Sequence, residues 1–315
     1  METVKAINKK KTILVTGGAG FIGYYLTNEL LKLGNKVVVI DNFSSNAIKN
    51  IDPKIKTYKT DINDANKVRA IFKKEKPDIV YHLAGVINLR HQITNPLFVK
   101  AMDILGRTKI ILDSCRASNV KKIIFVSSGG AIYENAKIIP TPHNYPAHPA
   151  SLYGLANLMV EKYIESYYKE YGLNYIILRL SNVYGPRQWE SGIIPSIILK
   201  VLKEKNPVIF GNGSQTRDFI YIDDAVEALI LLAKRGKNEV YNVGTGKEIS
   251  LNEIFKITKN ILCSKVIPVY KNLKTTETKR SALDAKKIKK EFGWHSKTDI
   301  KNGLKKTIEW YGHNR

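Results

Sequence analysis

Eight residues near the start of the chain, Thr16-Gly17-Gly18-Ala19-Gly20-Phe21-Ile22-Gly23, have the types and spacing to hold a pyrophosphate. Thr12 to Thr16 before them is apolar and β-branched, as a buried strand is. Phe21 to Leu33 after them carries apolar residues at helical spacing and stops at Gly34. The glycines therefore fall where a strand turns into a helix. Gly17 permits the tight turn, Gly20 lets a phosphate approach the backbone, and Gly23 lets the helix pack on the sheet. The amino end of that helix, at Phe21 and Ile22, offers free N–H groups and a positive dipole end. A second apolar run, Lys36 to Ile40, ends in Asp41, about 20 residues on, where a carboxylate accepts hydrogen bonds from ribose hydroxyls. The same carboxylate repels a 2′-phosphate, so the pattern favours NAD over NADP.

The elements that must position these residues alternate in type through the first 180 residues. Lys54–Tyr58 reads as a strand leading to Asp61 and Ile62, and Asn63–Lys74 as a helix capped by Asn63 or Asp64. Asp78–Leu83 is a strand and Asn95–Ser118 a long helix with Pro96 in its first turn. Lys122–Ser127 is a strand, Ala150–Tyr171 a helix and Asn174–Leu180 a strand. Such alternation predicts an α/β fold: a Rossmann-type, doubly wound parallel sheet with ligands at the carboxyl ends of its strands. Residues 181–217 and 245–280 break the rhythm with loops and short elements. Between them, Tyr221–Arg235 reads as a helix and Val240–Val243 as a strand of the main sheet. The expected organisation is a cofactor domain over 1–180, completed by about 218–244. A smaller, discontinuous substrate-binding lobe takes 181–217 and 245–315, its amphipathic tail Lys286–Trp310 read as helical.

Size and composition allow a large core: 315 residues, 43% hydrophobic, with no low-complexity tract. Met1–Lys11 is short and basic and lacks the apolar centre of a signal peptide, and no run suits a membrane span. Cys115 and Cys263 lie far apart in helical-looking segments, without ligand spacing, so neither a disulfide framework nor a metal site is expected. A reducing cytoplasm is the compartment this implies. The net charge of +23 would suit a polyanion partner. Yet only ten of the 51 basic residues are Arg, the Lys are spread evenly, and no aromatic residues interleave with them. Lysine on solvated faces accounts for the charge better than a nucleic-acid surface does.

In chain order, the sequence also contains Asp41-Asn42, Asp61-Ile62, His82-Leu83-Ala84, Ser127 to Tyr133, Tyr153-Gly154, Leu178 to Arg187 and Gln215 to Asp224. With the glycine loop, this series resembles the extended short-chain dehydrogenase/reductases, and within them the nucleotide-sugar epimerases and dehydratases, nearly end to end. The resemblance implies bound NAD and a 4-epimerase of the UDP-hexose class, with a UDP-sugar as substrate. It implies that Asn42 joins Asp41 at the cofactor, that Asp61 and Ile62 hold the adenine, and that Leu83 and Ala84 line the phosphates. Asn182 and Arg217 would hold the sugar-nucleotide diphosphate, since a guanidinium pairs with phosphate at two points. The alternative for Arg217 is a surface ion pair with Asp218 or Asp223. A second diphosphate-binding arginine of relatives falls here at Lys274, with Arg280 a nearby substitute. A homodimer through helices 95–118 and 150–171 is also implied. His82, ending a buried strand, is read as a structural residue without a chemical role.

In this family a tyrosine phenolate takes a proton from a sugar hydroxyl, and Tyr153 matches that position. Relatives place a lysine one helical turn later, which lowers the phenol's pKa and binds the nicotinamide ribose. Here that position is Asn157. The serine that meets the substrate hydroxyl falls at Gly129, leaving Ser128 for the role. In the segment Asn-x-x-Gly-Thr of relatives, this chain has Asp103 and then Gly106-Arg107. The Thr-Asp-Glu triplet of sugar 4,6-dehydratases is missing, which argues against water elimination. Three functions follow from these residues: a 4-epimerase slowed by Asn157, a protein that binds NAD and sugar nucleotide with negligible turnover, and an RNA- or polyanion-binding protein of the same fold.

Overall fold

The computed structural model describes residues 10–44, 51–85, 97–272 and 278–314. Six strands open the chain: β1 (Thr12–Thr16), β2 (Lys36–Asp41), β3 (Lys56–Lys59), β4 (Ile79–His82), β5 (Lys122–Ser128) and β6 (Asn174–Leu180). With a later strand, Glu239–Val243, they form one seven-stranded sheet in the order β3-β2-β1-β4-β5-β6-(239–243), every neighbouring pair parallel. The order reverses between β1 and β4. At such a switch point the connections leave in opposite directions and open a crevice beyond the strand ends.

Helices α1 (Phe21–Lys32), α2 (Ala65–Glu75), α3 (Leu97–Ala117), the single turn α4 (Gly129–Ile132) and α5 (Leu152–Tyr171) connect the strands. Because side chains alternate along a strand, each strand feeds two cores. Ile13, Val15, Val37 and Val39 pack with Leu26 and Leu30 of α1 and with the later helix Ile222–Arg235. Leu14, Val38, Ile40 and Val80 point the other way, to Phe72 of α2, Leu112 of α3 and Ile164 of α5. The inner strands are buried on both faces and read as continuous apolar runs for that reason, whereas the edge strand β3 is largely exposed.

Local signals set several ends. Asp64, one of the two expected caps, accepts from the Lys67 N–H at 3.0 Å and starts α2. Ser151 accepts from the Gly154 N–H at 3.1 Å and starts α5 two residues later than the sequence suggested. Of the long helix expected over 95–118, Asn95 and Pro96 lie outside the described residues. The tail needs correcting: it is two helices, Lys286–Phe292 and Ile300–His313, not one. Gly293 ends the first in a left-handed conformation (φ 77°), and Asp299 caps the second by accepting from the Asn302 N–H at 2.9 Å. Buried Trp294 lies in the break and explains why the amphipathic period seemed continuous. Cys263 also departs from expectation, sitting beyond the helix Leu251–Ile261 at φ 50° and exposed, while Cys115 is buried in α3. No helix among the described residues is long and apolar enough to cross a membrane.

Residues 181–217 and 245–314 contribute helices Ile193–Leu202 and Leu251–Ile261, the two tail helices, and three two-stranded pairs. In those pairs Asn182–Tyr184 joins Phe219–Tyr221, Thr216–Arg217 joins Ile249–Ser250, and Val208–Phe210 joins Val269–Lys271. Ile197, Ile254, Leu304 and Ile308 merge with the core on the α1 side of the sheet.

Candidate active site

A cleft of about 390 Å³ runs along the carboxyl ends of β1 to β6. At its centre the loop after β1 is shaped by what its glycines exclude. Gly17 adopts φ 71°, and a Cβ there would lie 2.8 Å from the Ala84 nitrogen. A Cβ on Gly18 would lie 2.5 Å from the Val39 side chain of β2. Gly23 was expected to let α1 pack on the sheet; instead its missing side chain leaves room for the loop itself, the Gly17 carbonyl and Gly18 Cα at 2.7 Å. The contact with the sheet belongs to Gly18. No side chain caps α1, whose N-cap is Gly20, so its first-turn N–H groups face the cleft.

Asp41 ties this loop to the end of β2: one carboxylate oxygen accepts from the Ala19 N–H at 2.9 Å and the other from the Phe43 N–H at 2.8 Å. Asn42 donates to Asp61 at 2.8 Å, and Asp61 also accepts from the Asn63 N–H at 2.9 Å. Burial acts to raise the Asp61 carboxyl pKa, but these two bonds and the charge of Arg107 outweigh it and hold the group below its usual value. The cradle, the uncapped helix and a fixed carboxylate past β2 fit a dinucleotide: pyrophosphate at α1, adenosine over β2 and β3.

His82 closes the floor. Thr108 gives its hydroxyl proton to the Ile104 carbonyl, so His82 Nε2 carries the ring hydrogen toward Thr108 at 3.3 Å. Nδ1 then accepts from Thr16, which in turn accepts from the Ala84 N–H. Burial lowers the imidazole pKa to about 4, so this chain from β4 to α3 stays neutral and rigid.

The other end of the cleft holds the phenol. Tyr153 stands in the first turn of α5, which approaches α4 closely because Gly154 has no side chain: a Cβ there would strike the Ala131 carbonyl and Pro149. The approach brings Tyr153 to Ser128 at the end of β5. Burial raises the phenol's pKa, and hydrogen bonds from Asn157 and Ser128 oppose the rise; no charged group among the described residues joins them. Asn157 is buried, and its Nδ2 donates to the Tyr153 carbonyl at 2.8 Å. Gly129, where relatives carry the serine, presses on Leu283, whose nearest methyl would be 2.6 Å from an added Cβ. A side chain there would have to displace Leu283, and Ser128 is the hydroxyl that bonds the phenol.

Tyr153, Asn157 and Glu161 succeed one another on one face of α5. Glu161 is buried and accepts from Ser127 at 2.6 Å and from Arg179 of β6 at 2.5 to 3.2 Å. Arg179 also donates to the Tyr133 hydroxyl at 2.5 Å. This ion pair fixes the rotation of α5, and with it the aim of Tyr153, against two strands.

Gly17, Gly20, Phe21, Ile22, Gly23, Asp41, Asn42, Asp61, Ile62, Leu83, Ala84, Ser128, Tyr153, Asn157 and Asn182 all line this one cleft. Arg217 and Arg280 do not. Arg217 donates to the Thr216 carbonyl at 2.8 Å, and Arg280 grips Glu248 with two nitrogens at 2.5 and 3.0 Å. Asp218, offered as an ion-pair partner for Arg217, instead spends its buried carboxylate on Thr245, Gly246 and Leu283. Lys274 lies outside the described residues. Arg107, Gln188 and Trp189 line the cleft without having been singled out. Only Arg107 carried a signal, its departure from the segment that resembled the family; Gln188 and Trp189 follow an irregular turn, with Arg187 at φ 65°, that has no period to read.

Comparison with known proteins agrees with this geometry. The model of the NAD-dependent epimerase/dehydratase family matches residues 13–244. A putative UDP-glucose 4-epimerase of Methanocaldococcus jannaschii is 41% identical over 96% of this chain and 99% of its own. The crystal structure of Thermotoga maritima UDP-glucose 4-epimerase with UDP-glucose superposes with a TM-score of 0.92 at 38% identity, covering 95% of this chain and 98% of that one. Thermus thermophilus UDP-glucose 4-epimerase, solved with NAD, gives 0.90 at 28% identity over 95% and 98%.

Proposed function

Because the chain belongs to the NAD-dependent epimerase/dehydratase family, we propose that it inverts C4 of a UDP-linked hexose, with Tyr153 as the acid–base group. Bound NAD supplies a reversible hydride acceptor beside the sugar. Tyr153 takes the proton of the C4 hydroxyl as that carbon is oxidised, and returns it once the ketone has presented its other face. Ser128 holds the same hydroxyl, and Asn157 keeps an amide oxygen for the nicotinamide ribose. Asn182 and Arg217 hold the diphosphate, with Lys274 or Arg280 as a second cation. In this scheme residues 1–180 and 218–244 carry the cofactor, and 181–217 and 245–315 carry the sugar nucleotide.

The observation that supports this reading best is the meeting of Tyr153 and Ser128 with a dinucleotide-shaped cradle in one cleft. Two copies pairing through α3 and α5 would cover the exposed Tyr171 and the half-buried Tyr163. Two free cysteines suit a reducing cytoplasm. Incubation with NAD and a panel of UDP-hexoses, followed by chromatographic separation, should interconvert UDP-glucose and UDP-galactose. No product from any UDP-hexose would remove the assignment.

One observation favours a second reading, a binding protein with negligible turnover: no cation among the described residues acts on the Tyr153 phenol. Tight NAD and UDP-sugar binding without product formation is its signature. An RNA-binding role has only the net charge in its support, and filter binding without salt-dependent affinity would dismiss it.

A further inference from the structure

Among the charged side chains that line the cleft, Asp41 and Asp61 are anionic and Arg107 is the one described cation. In a site that takes a pyrophosphate, that is an unusual balance. Arg107 projects from α3 with its side chain 27% exposed, and Nη2 meets Asp103, one turn back, at 2.5 Å. Its Nε is fully buried and has no hydrogen-bond partner among the described residues. A pairing with Asp103 alone does not explain this placement, since an i,i+4 pair contributes little and needs no cleft.

Strand order locates the guanidinium along the ligand. The loop after β1 faces the pyrophosphate, Asp41 ends β2, and Asp61 follows β3, one strand further from the phenol. The Arg107 charge acts on Asp61, whereas among the described residues the Tyr153 phenol is acted on by burial, Ser128 and Asn157 alone. Arg107 therefore stands at the adenosine end and does not replace the missing lysine. We propose that Arg107 binds the adenosine 5′-phosphate half of NAD, with Asp103 steadying the guanidinium from behind. That half offers phosphate oxygens, ring-nitrogen acceptors and an aromatic face, each complementary to a planar cation with five donors.

The inference rests on NAD being the cofactor, and one set of titrations separates the two. Wild type, Arg107→Gln, Arg107→Lys and Asp103→Asn are titrated calorimetrically with NAD and with AMP, after thermal denaturation has verified that each is folded. Arg107→Gln is expected to weaken NAD and AMP alike, by about tenfold, as loss of a charge-assisted contact does. Arg107→Lys recovers part of that loss, and Asp103→Asn, which leaves the guanidinium unsteadied, loses no more than Arg107→Gln does. Unchanged AMP affinity in Arg107→Gln overturns the proposal. Wild type that binds no NAD removes the cofactor itself.

Discussion

Replacing Asn157 by lysine tests the chemistry of the cleft at its weakest point. Asn157 faces the cleft one turn after Tyr153, and its amide donates to the Tyr153 carbonyl and hydrogen-bonds the Tyr153 phenol. Lysine forgoes the carbonyl bond and extends an ammonium along the cleft wall. A unit charge about 6 Å from the phenolate, at an effective dielectric near 20, contributes ~3 kcal/mol, or about two pKa units. The phenol starts from above the ordinary tyrosine value because burial raises it and only two hydrogen bonds oppose. Near neutral pH the phenolate fraction then rises about 100-fold, and turnover rises by up to that factor where proton transfer limits it. The assay is UDP-galactose to UDP-glucose conversion at saturating NAD, with products separated chromatographically, from about pH 6 to about pH 10. Wild-type turnover should climb throughout this range, and the Asn157→Lys profile should lie about two pH units lower. A profile that does not move, in a variant that still binds NAD, refutes the account of the missing cation.

Three further outcomes follow from the geometry. Gly23→Ala drives a methyl into the Gly17 carbonyl and Gly18 Cα, so the loop must shift; NAD affinity should fall at least tenfold and stability by about 1–3 kcal/mol, read by calorimetry and urea unfolding. Glu161→Gln leaves the buried Arg179 without its counter-charge and should cost about 3–5 kcal/mol; an unchanged denaturation midpoint would show that the pair does not anchor α5. Glu75, buried at the end of α2, accepts from Lys36, Lys56 and Tyr58 at 2.6 to 2.8 Å. Burial acts to raise its carboxyl pKa, but the three donors outweigh burial and carry it down to about 2. A depressed folded-state pKa stabilises above the unfolded value and stops doing so as pH falls through the folded one. The stability gap between wild type and Glu75→Gln should therefore be full, about 2 kcal/mol, at neutral pH and close between about pH 4.5 and about pH 2; a constant gap in thermal melts would contradict it.

The cofactor half of the site was legible because its signals are local. Gly17, Gly20 and Gly23 sit between an apolar strand and a helix, and Asp41 ends the next strand, so spacing along the chain alone describes the turn and its carboxylate. The cap Asp64 acts over three residues and was visible as one of two candidates, whereas the cap Ser151 was read as lying inside a helix begun at Ala150. The tail failed the same test. Trp294 kept the apolar period running through a break that Gly293 and Asp299 impose.

Sequence by itself determined which residues have the chemistry for a dinucleotide and a phenol-based proton transfer, and the alternation of strands and helices that carries them. Only the tertiary structure decided that β4 lies beside β1, and that Gly154 brings Tyr153 against Ser128. It alone joined Glu161 to Arg179, closed position 129 with Leu283, and turned Arg107 into the cleft. The physical reason is range. Propensities, caps and turn glycines act over a few residues, whereas these contacts join segments whose meeting depends on burying both faces of one sheet.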